Sequence, residues 1–234
     1  PVWTELPSNW ESVEKYQIYW DGMNYIDQYL FMENYFQSNV ISKSNRTTTL
    51  SEEYLQQARE HLQSLGLEKG CKFVSLHIRN GSGPGIRRSQ PDHLFVDALQ
   101  AITQRNYWII RIGDPGMSKI VEIPKVIDLA IDSNLAWLHP YVLHEAVMHL
   151  GTNSGPSILA QTFGTPTLIT NTTSVSRCTL TGSLHTVYLP KRVAIEGRIL
   201  TLSQLLMHCE GYSELDGRNL KTKSITYLPN SSEE

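Results

Sequence analysis

Short apolar runs alternate along this chain with segments whose apolar residues recur every three or four positions, and small residues mark the boundaries. The clearest unit is 147–170, V-M-H-L-G-T-N-S-G-P-S-I-L-A-Q-T-F-G-T-P-T-L-I-T. It predicts a strand over 147–150, a tight turn over 151–155, a helix ended by Gly164, and a β-rich run over 167–170. Pro156 suits the first helical position, because its φ is already helical and its missing N–H would have no partner there. Ser154 is then the expected cap, with Ile158, Leu159 and Phe163 as the buried side.

Upstream, Ser51 precedes Glu52 and Glu53 and caps a helix ended by Gly66, with Tyr54, Ala58, His61, Leu62 and Leu65 facing inward. The run K-F-V-S-L-H-I (72–78) reads as a strand leading to Arg79 and Asn80, then to a glycine-rich basic loop over 81–90 that carries Arg87 and Arg88. A helix over about 91–105 carries Leu94, Phe95, Ala98, Leu99 and Ile102. A strand over 107–112 runs into Gly113 and Asp114, a short strand follows at 126–129, and a helix spans about 136–146. This alternation predicts an α/β fold, a Rossmann-like parallel sheet with helices on both faces.

The first fifty residues differ. Tyr16, Tyr19, Met23, Ile26 and Leu30 fall at helical spacing and predict an amphipathic helix over about 11–36, a packing surface rather than a site. Residues 38–49 are polar and aperiodic and read as a linker. We therefore divide the chain into a helical and linker segment, 1–50, and a Rossmann-like domain, 51–234. Both ends read as cut. The chain opens on Pro1, and the closing N-S-S-E-E (230–234) has the form of a helix start with no helix after it. A missing N-terminal domain and a missing last helix are expected.

Composition narrows the class. With 40% hydrophobic and 18% charged residues the 234-residue chain reads as a soluble globular protein, and a net charge of −3 gives no general pull towards nucleic acid. No apolar run is long enough to span a bilayer and no secretion signal is present, so a cytoplasmic location is expected. Cys71, Cys178 and Cys209 lack metal spacing and read as reduced, structural cysteines. The N-x-Ser/Thr triplets at Asn45, Asn80, Asn171 and Asn230 are then chance matches. His139, His144 and His149 have one nearby carboxylate, Glu145, and no ligand pattern, so neither a metal nor another cofactor is expected.

Ligands of parallel sheets bind outside the carboxyl ends of the strands, and the residues predicted there are polar. One strand ends in His77, Arg79 and Asn80, another in Arg111 and Asp114, and a third in Thr152, Asn153, Ser154 and Gly155. Free N–H groups at a helix start, with arginines beside them, favour a ligand carrying phosphates. Each residue also has a plainer reading. Arg111 could pair with a carboxylate, Asp114 before Pro115 suits a turn, and His77 lies in an apolar run. No G-x-x-x-x-G-K-[ST] loop is present, and no G-x-G-x-x-G opens the first βα unit, which excludes the common P-loop and dinucleotide classes. A nucleoside diphosphate on a late βα turn suits a nucleotide-sugar enzyme. Charge builds on the departing diphosphate, and Arg and helix N–H groups stabilise it.

The ordered set L-H-I-R-N (76–80), I-I-R-I-G-D-P-G-M (109–117), L-G-T-N-S-G (150–155), F-G-T-P-T-L-I-T-N (163–171) and L-P-K-R (189–192) resembles a family of bacterial glycosyltransferases found with surface-polysaccharide genes. The likeness covers about 51–234. More distantly, the S-G-P-S-I-L-A-Q-T-F-G-T-P run is similar to the donor-diphosphate turn of heptosyltransferases and other GT-B enzymes. The His-x-Arg strand end is similar to that of fucosyltransferases. One departure stands out, since Asn80 occupies the place where the family has Asp.

The resemblance implies the C-terminal, donor-binding half of a GT-B glycosyltransferase. Its donor is a nucleotide-sugar, its acceptor a glycan or glycolipid, and its location the cytoplasm or the inner face of the membrane. Arg79, Arg111, Asn153, Ser154, Gly155, Ser157 and Lys191 would hold the donor, and His77 and Asp114 would do acid–base or orienting work. A nucleotide-sugar epimerase, or a non-catalytic nucleotide-sugar-binding module, are the alternatives.

Overall fold

The computed structural model describes residues 49–79, 89–172, 186–201 and 225–230. The expected helix over 11–36, Asn45, Asn80, Arg87, Arg88, Cys178, Cys209 and the closing 231–234 lie outside the described residues.

Helix α1 (Glu52–Ser64) starts as expected, with Ser51 Oγ accepting the Tyr54 N–H. Then come strand β1 (Phe73–His77), a 3₁₀ turn (Asp92–Phe95) running into α2 (Val96–Gln104), β2 (Trp108–Arg111) and β3 (Val126–Asp128). A second 3₁₀ turn (Ser133–Leu138) leads into α3 (His139–Glu145), followed by β4 (Met148–Thr152), α4 (Gly155–Thr162), β5 (Thr167–Thr172) and β6 (Thr186–Pro190). Gly66 and Gly164, each just past a helix end, have φ of +104° and +73°, the left-handed conformation that stops a helix and favours glycine.

Strands β1 to β6 form one sheet in the order β3-β2-β1-β4-β5-β6, and every neighbouring pair is parallel. This is the Rossmann order, with the reversal of direction between β1 and β4. Side chains alternate between faces along each strand. Phe73, Ile110 and Ile112 pack with Leu55, Ala58 and Leu62 of α1, Val142 of α3 and Ala160 of α4. Val74, Leu76, Ile78 and Ile109 pack with Phe95 and Leu99 from the other side. Both faces are therefore covered, as the continuous apolar runs imply.

Two features differ from the sequence reading. In α4 the Ile158 side chain is exposed, while Ser157, Ala160 and Gln161 are buried. The inward polar groups are satisfied: Ser157 by Thr152 and His149, and Gln161 by Thr186 and Tyr188 across to β6. Second, β7 (Arg192–Ile195), β8 (Arg198–Ile199) and β9 (Ile225–Leu228) form a small antiparallel sheet that no sequence pattern announced. No helix among the described residues is long and apolar enough to cross a membrane.

Candidate functional site

The carboxyl ends of β1 and β4 meet where the strand order reverses, with His77 opposite Gly151 in the register. Thr152 joins the parts there. Its Oγ1 accepts the Arg79 N–H at 3.0 Å, and its carbonyl accepts the hydroxyls of Ser154 (3.0 Å) and Ser157 (2.9 Å). One residue thus ties the end of β1 to the first turn of α4.

Ser154 occupies the cap position of α4, but its side chain makes no capping bond. Its Oγ lies 2.9 Å from His77 Nδ1 instead. The first intrahelical bond runs from the Ile158 N–H to the Ser154 carbonyl, so the N–H groups of Gly155 and Ser157 precede it, and among the described residues no side chain caps them. Gly155 is exposed, and a Cβ built on it would meet nothing within 4 Å. The helix start is therefore open, with the positive end of its dipole at the crevice.

Arg79 stands beside this turn, half-buried, and its Nε is sealed from solvent without a partner. His77 is buried, and its pKa is pushed down to about 4, first by burial and then by the nearby Arg79, Arg111 and His139. Asn153 lies partly exposed in the turn, next to Ser154. The structure thus brings together His77, Arg79, Asn153, Ser154 and Gly155.

The remaining sequence candidates are elsewhere or already engaged. Arg111 was expected to emerge at the crevice, but its side chain is fully buried. Its Nη1 bonds Asp128 Oδ2 at 2.9 Å and the Ser118 carbonyl at 2.8 Å, and its Nη2 lies 3.5 Å from Asp92 Oδ2. Two carboxylates at hand hold the guanidinium there. Ser157 is also fully buried, its hydroxyl occupied by Thr152 and His149 (3.1 Å), so only its N–H faces the turn. Asp114 is exposed just past β2, where its Oδ1 accepts the Gly116 N–H in a local turn, the arrangement Asp commonly makes. Lys191 follows β6, two strands from β4. It is buried, with its pKa pushed down to about 8 by burial.

Sequence reasoning passed over three residues here. Thr152 was noted at a strand end without its linking role. His149, fully buried between Ser75 Oγ (2.9 Å) and Ser157 Oγ, is held neutral with its pKa pushed down to about 3 by burial and by His77. His139, at the start of α3, faces the same region with Nε2 sealed and unpartnered. No spacing rule links these histidines, because different elements carry them. Among the described residues no cluster of three or more His, Cys, Asp or Glu could hold a metal ion.

The strand order and the open turn at its reversal define a Rossmann-like α/β domain with a switch-point crevice. No protein-family model and no curated protein matches the chain. Solved structures similar to it include ADP-heptose LPS heptosyltransferase II of E. coli, at 12% identity and a TM-score of 0.49, covering 61% of this chain and 44% of that one. A family 9 glycosyl transferase from Veillonella parvula is similar at 17% identity and a TM-score of 0.48, covering 66% and 45%. A UDP-GlcNAc 2-epimerase from Neisseria meningitidis is similar at 12% identity and a TM-score of 0.38, covering 70% and 44%. The chain spans less than half the length of each of these three proteins.

Proposed function

We propose that this chain is the donor-binding half of a GT-B glycosyltransferase, which moves a sugar from a nucleotide-sugar to a glycan or glycolipid acceptor of a bacterial surface polysaccharide. The observation that carries the reading is the uncapped start of α4 at the strand-order reversal, with Arg79 beside it and open space over Gly155. Phosphate oxygens fit such a place, where oriented N–H groups, a helix dipole and a guanidinium converge. Breaking the sugar–phosphate bond leaves extra charge on the diphosphate. The N–H groups of Gly155 and Ser157 and the Arg79 guanidinium would stabilise that charge as it builds.

Roles follow from position. Arg79, Asn153, Gly155 and the Ser157 backbone contact the diphosphate, and Lys191 adds a cation further along the strand ends. His77 serves the acid–base or orienting work, while Arg111 supports the scaffold. The acceptor belongs to the facing domain of that architecture.

A thermal-shift panel tests the reading. UDP, GDP, ADP and CDP should each be compared with the corresponding monophosphate, and at least one diphosphate should raise Tm more than its monophosphate. A panel in which no diphosphate raises Tm would falsify the donor site. Incubating a nucleotide-sugar without acceptor completes the test: a transferase yields at most slow hydrolysis, and an epimerised sugar would overturn the reading.

A further inference from the structure

The hydroxyl protons around Thr152 can be counted. Ser154 has one, and its geometry directs it to the Thr152 carbonyl at 3.0 Å. Turned towards His77 instead, it would leave two oxygens 3.0 Å apart with no hydrogen between them. The 2.9 Å contact between Ser154 Oγ and His77 Nδ1 must then be made by a hydrogen on Nδ1. A neutral ring with Nδ1–H has a bare lone pair on Nε2. That nitrogen has no hydrogen-bond partner among the described residues, and its residue closes β1 at the crevice, opposite Gly151.

Burial and the described groups near this ring keep it uncharged. Arg79 follows it on its own strand, Arg111 lies on β2, His139 on α3, and Ser154 comes from the β4–α4 turn. None of the four is a carboxylate that would favour the imidazolium. A bare Nε2 repels phosphate oxygens and accepts from a neutral O–H. His77 is thus unsuited to the diphosphate, although it adjoins the phosphate-type turn.

We propose that Ser154 is a positioning residue that fixes the His77 tautomer, so that Nε2 accepts a hydrogen bond from a hydroxyl of the bound nucleotide-sugar. The proposal rests on the donor-site reading and divides the site. Arg79 and the turn N–H groups take the charged diphosphate, and His77 takes a neutral hydroxyl of the ribose or of the sugar. His149 provides an internal contrast. Ser157 also gives its proton to the Thr152 carbonyl, so His149 must carry its hydrogen on Nε2, the opposite tautomer.

Long-range ¹H–¹⁵N spectra of the full chain at neutral pH read both rings at once. The expected result is a protonated Nδ1 for His77 and a protonated Nε2 for His149. Adding whichever of UDP, GDP, ADP and CDP raises Tm, or its glucose-linked form, should shift the His77 Nε2 resonance. A shift with the free diphosphates assigns the ribose hydroxyl, and a shift only with the glucose-linked forms assigns the sugar. Ser154→Ala should give His77 a mixture of tautomers and weaken the shifting ligand roughly tenfold, the effect of one positioned hydrogen bond. If that variant does not fold, the wild-type spectrum still decides the tautomer. Wild-type protein that binds these nucleotides without moving His77 Nε2, or that protonates His77 on Nε2, overturns the proposal alone. Protein that binds none of UDP, GDP, ADP and CDP overturns the donor-site reading and the hydroxyl contact together.

Discussion

At the scale of single residues, two glycines, one in β4 and one opening α4, have opposite demands. A Cβ on Gly151 would lie 2.5 Å from His149 Nε2 and 3.0 Å from Ser157 Oγ, inside the buried hydrogen bond between them. Gly151→Ala should therefore cost roughly 1–3 kcal/mol, the usual range for overpacking, read as a lower midpoint in a denaturant melt. Gly155 has no such neighbour, so side chains there disturb only what approaches from outside. Arg79→Met should weaken diphosphate binding by about 1.5–3 kcal/mol, since it deletes a charge-assisted contact. The backbone N–H that bonds Thr152 stays in place, so the fold should hold. Calorimetric titration of the folded variant checks this, and unchanged affinity would remove Arg79 from the site.

The histidines add a pH dependence. His77 and His149 have folded pKa values pushed down to about 4 and about 3, from an ordinary 6.5. Below that ordinary value the unfolded chain takes up protons that the fold refuses. Their neutral burial therefore favours the fold fully above pH 6.5 and progressively less as the pH falls towards 4 and 3. Tm should already decline from about pH 7 to about 5.5, where carboxylates are still ionised. A flat profile over that interval would contradict neutral burial of the two rings.

At the scale of elements, a buried cation joins three pieces of the fold. Arg111 on β2 reaches Asp128 on β3 and Asp92 in the 3₁₀ turn before α2, and Asp128 also accepts the Ile120 and Ala130 N–H groups. Removing the cation leaves two largely buried carboxylates without it. Arg111→Met should destabilise by about 3–5 kcal/mol, measured by chemical denaturation. A variant of wild-type stability with weakened diphosphate binding would instead return Arg111 to the site. The sequence could not choose between these roles, because Asp92 and Asp128 lie 19 and 17 residues away and only folding brings them to the guanidinium. Local signals were more legible. Ser51, Gly66, Pro156 and Gly164 marked helix ends through caps and backbone conformation that neighbouring residues determine. The inward face of α4 was misread because Ser157 and Gln161 are polar, and their partners on other elements make burial tolerable.

At the scale of the whole molecule, the alternating pattern indicated the parallel sheet, and the sheet order placed the crevice between β1 and β4. The small sheet of β7, β8 and β9 was not legible, since its strands are two to four residues long and too short to set a period. A reciprocal clasp connects the end of the large sheet to the segment after β9. The Asn171 N–H bonds Asn230 Oδ1 and the Asn230 N–H bonds Asn171 Oδ1, both at 2.8 Å, with both side chains buried. Asn171 has a φ of +56° at the β5–β6 irregularity, a left-handed conformation that Asn accepts more readily than most residues. Burial and full engagement also leave neither asparagine accessible for glycosylation in the fold.

The central claim is that a diphosphate rests on the open start of α4, and Gly155→Val tests it most directly. The φ of Gly155 is not positive and nothing lies within 4 Å of the added Cβ, so the variant should fold and melt like the wild type. Isothermal titration with the diphosphate that stabilises the wild type should then show binding abolished, because the new side chain occupies the ligand's place. A Gly155→Val protein with an unchanged circular-dichroism melt and wild-type affinity would contradict the account and put the ligand elsewhere.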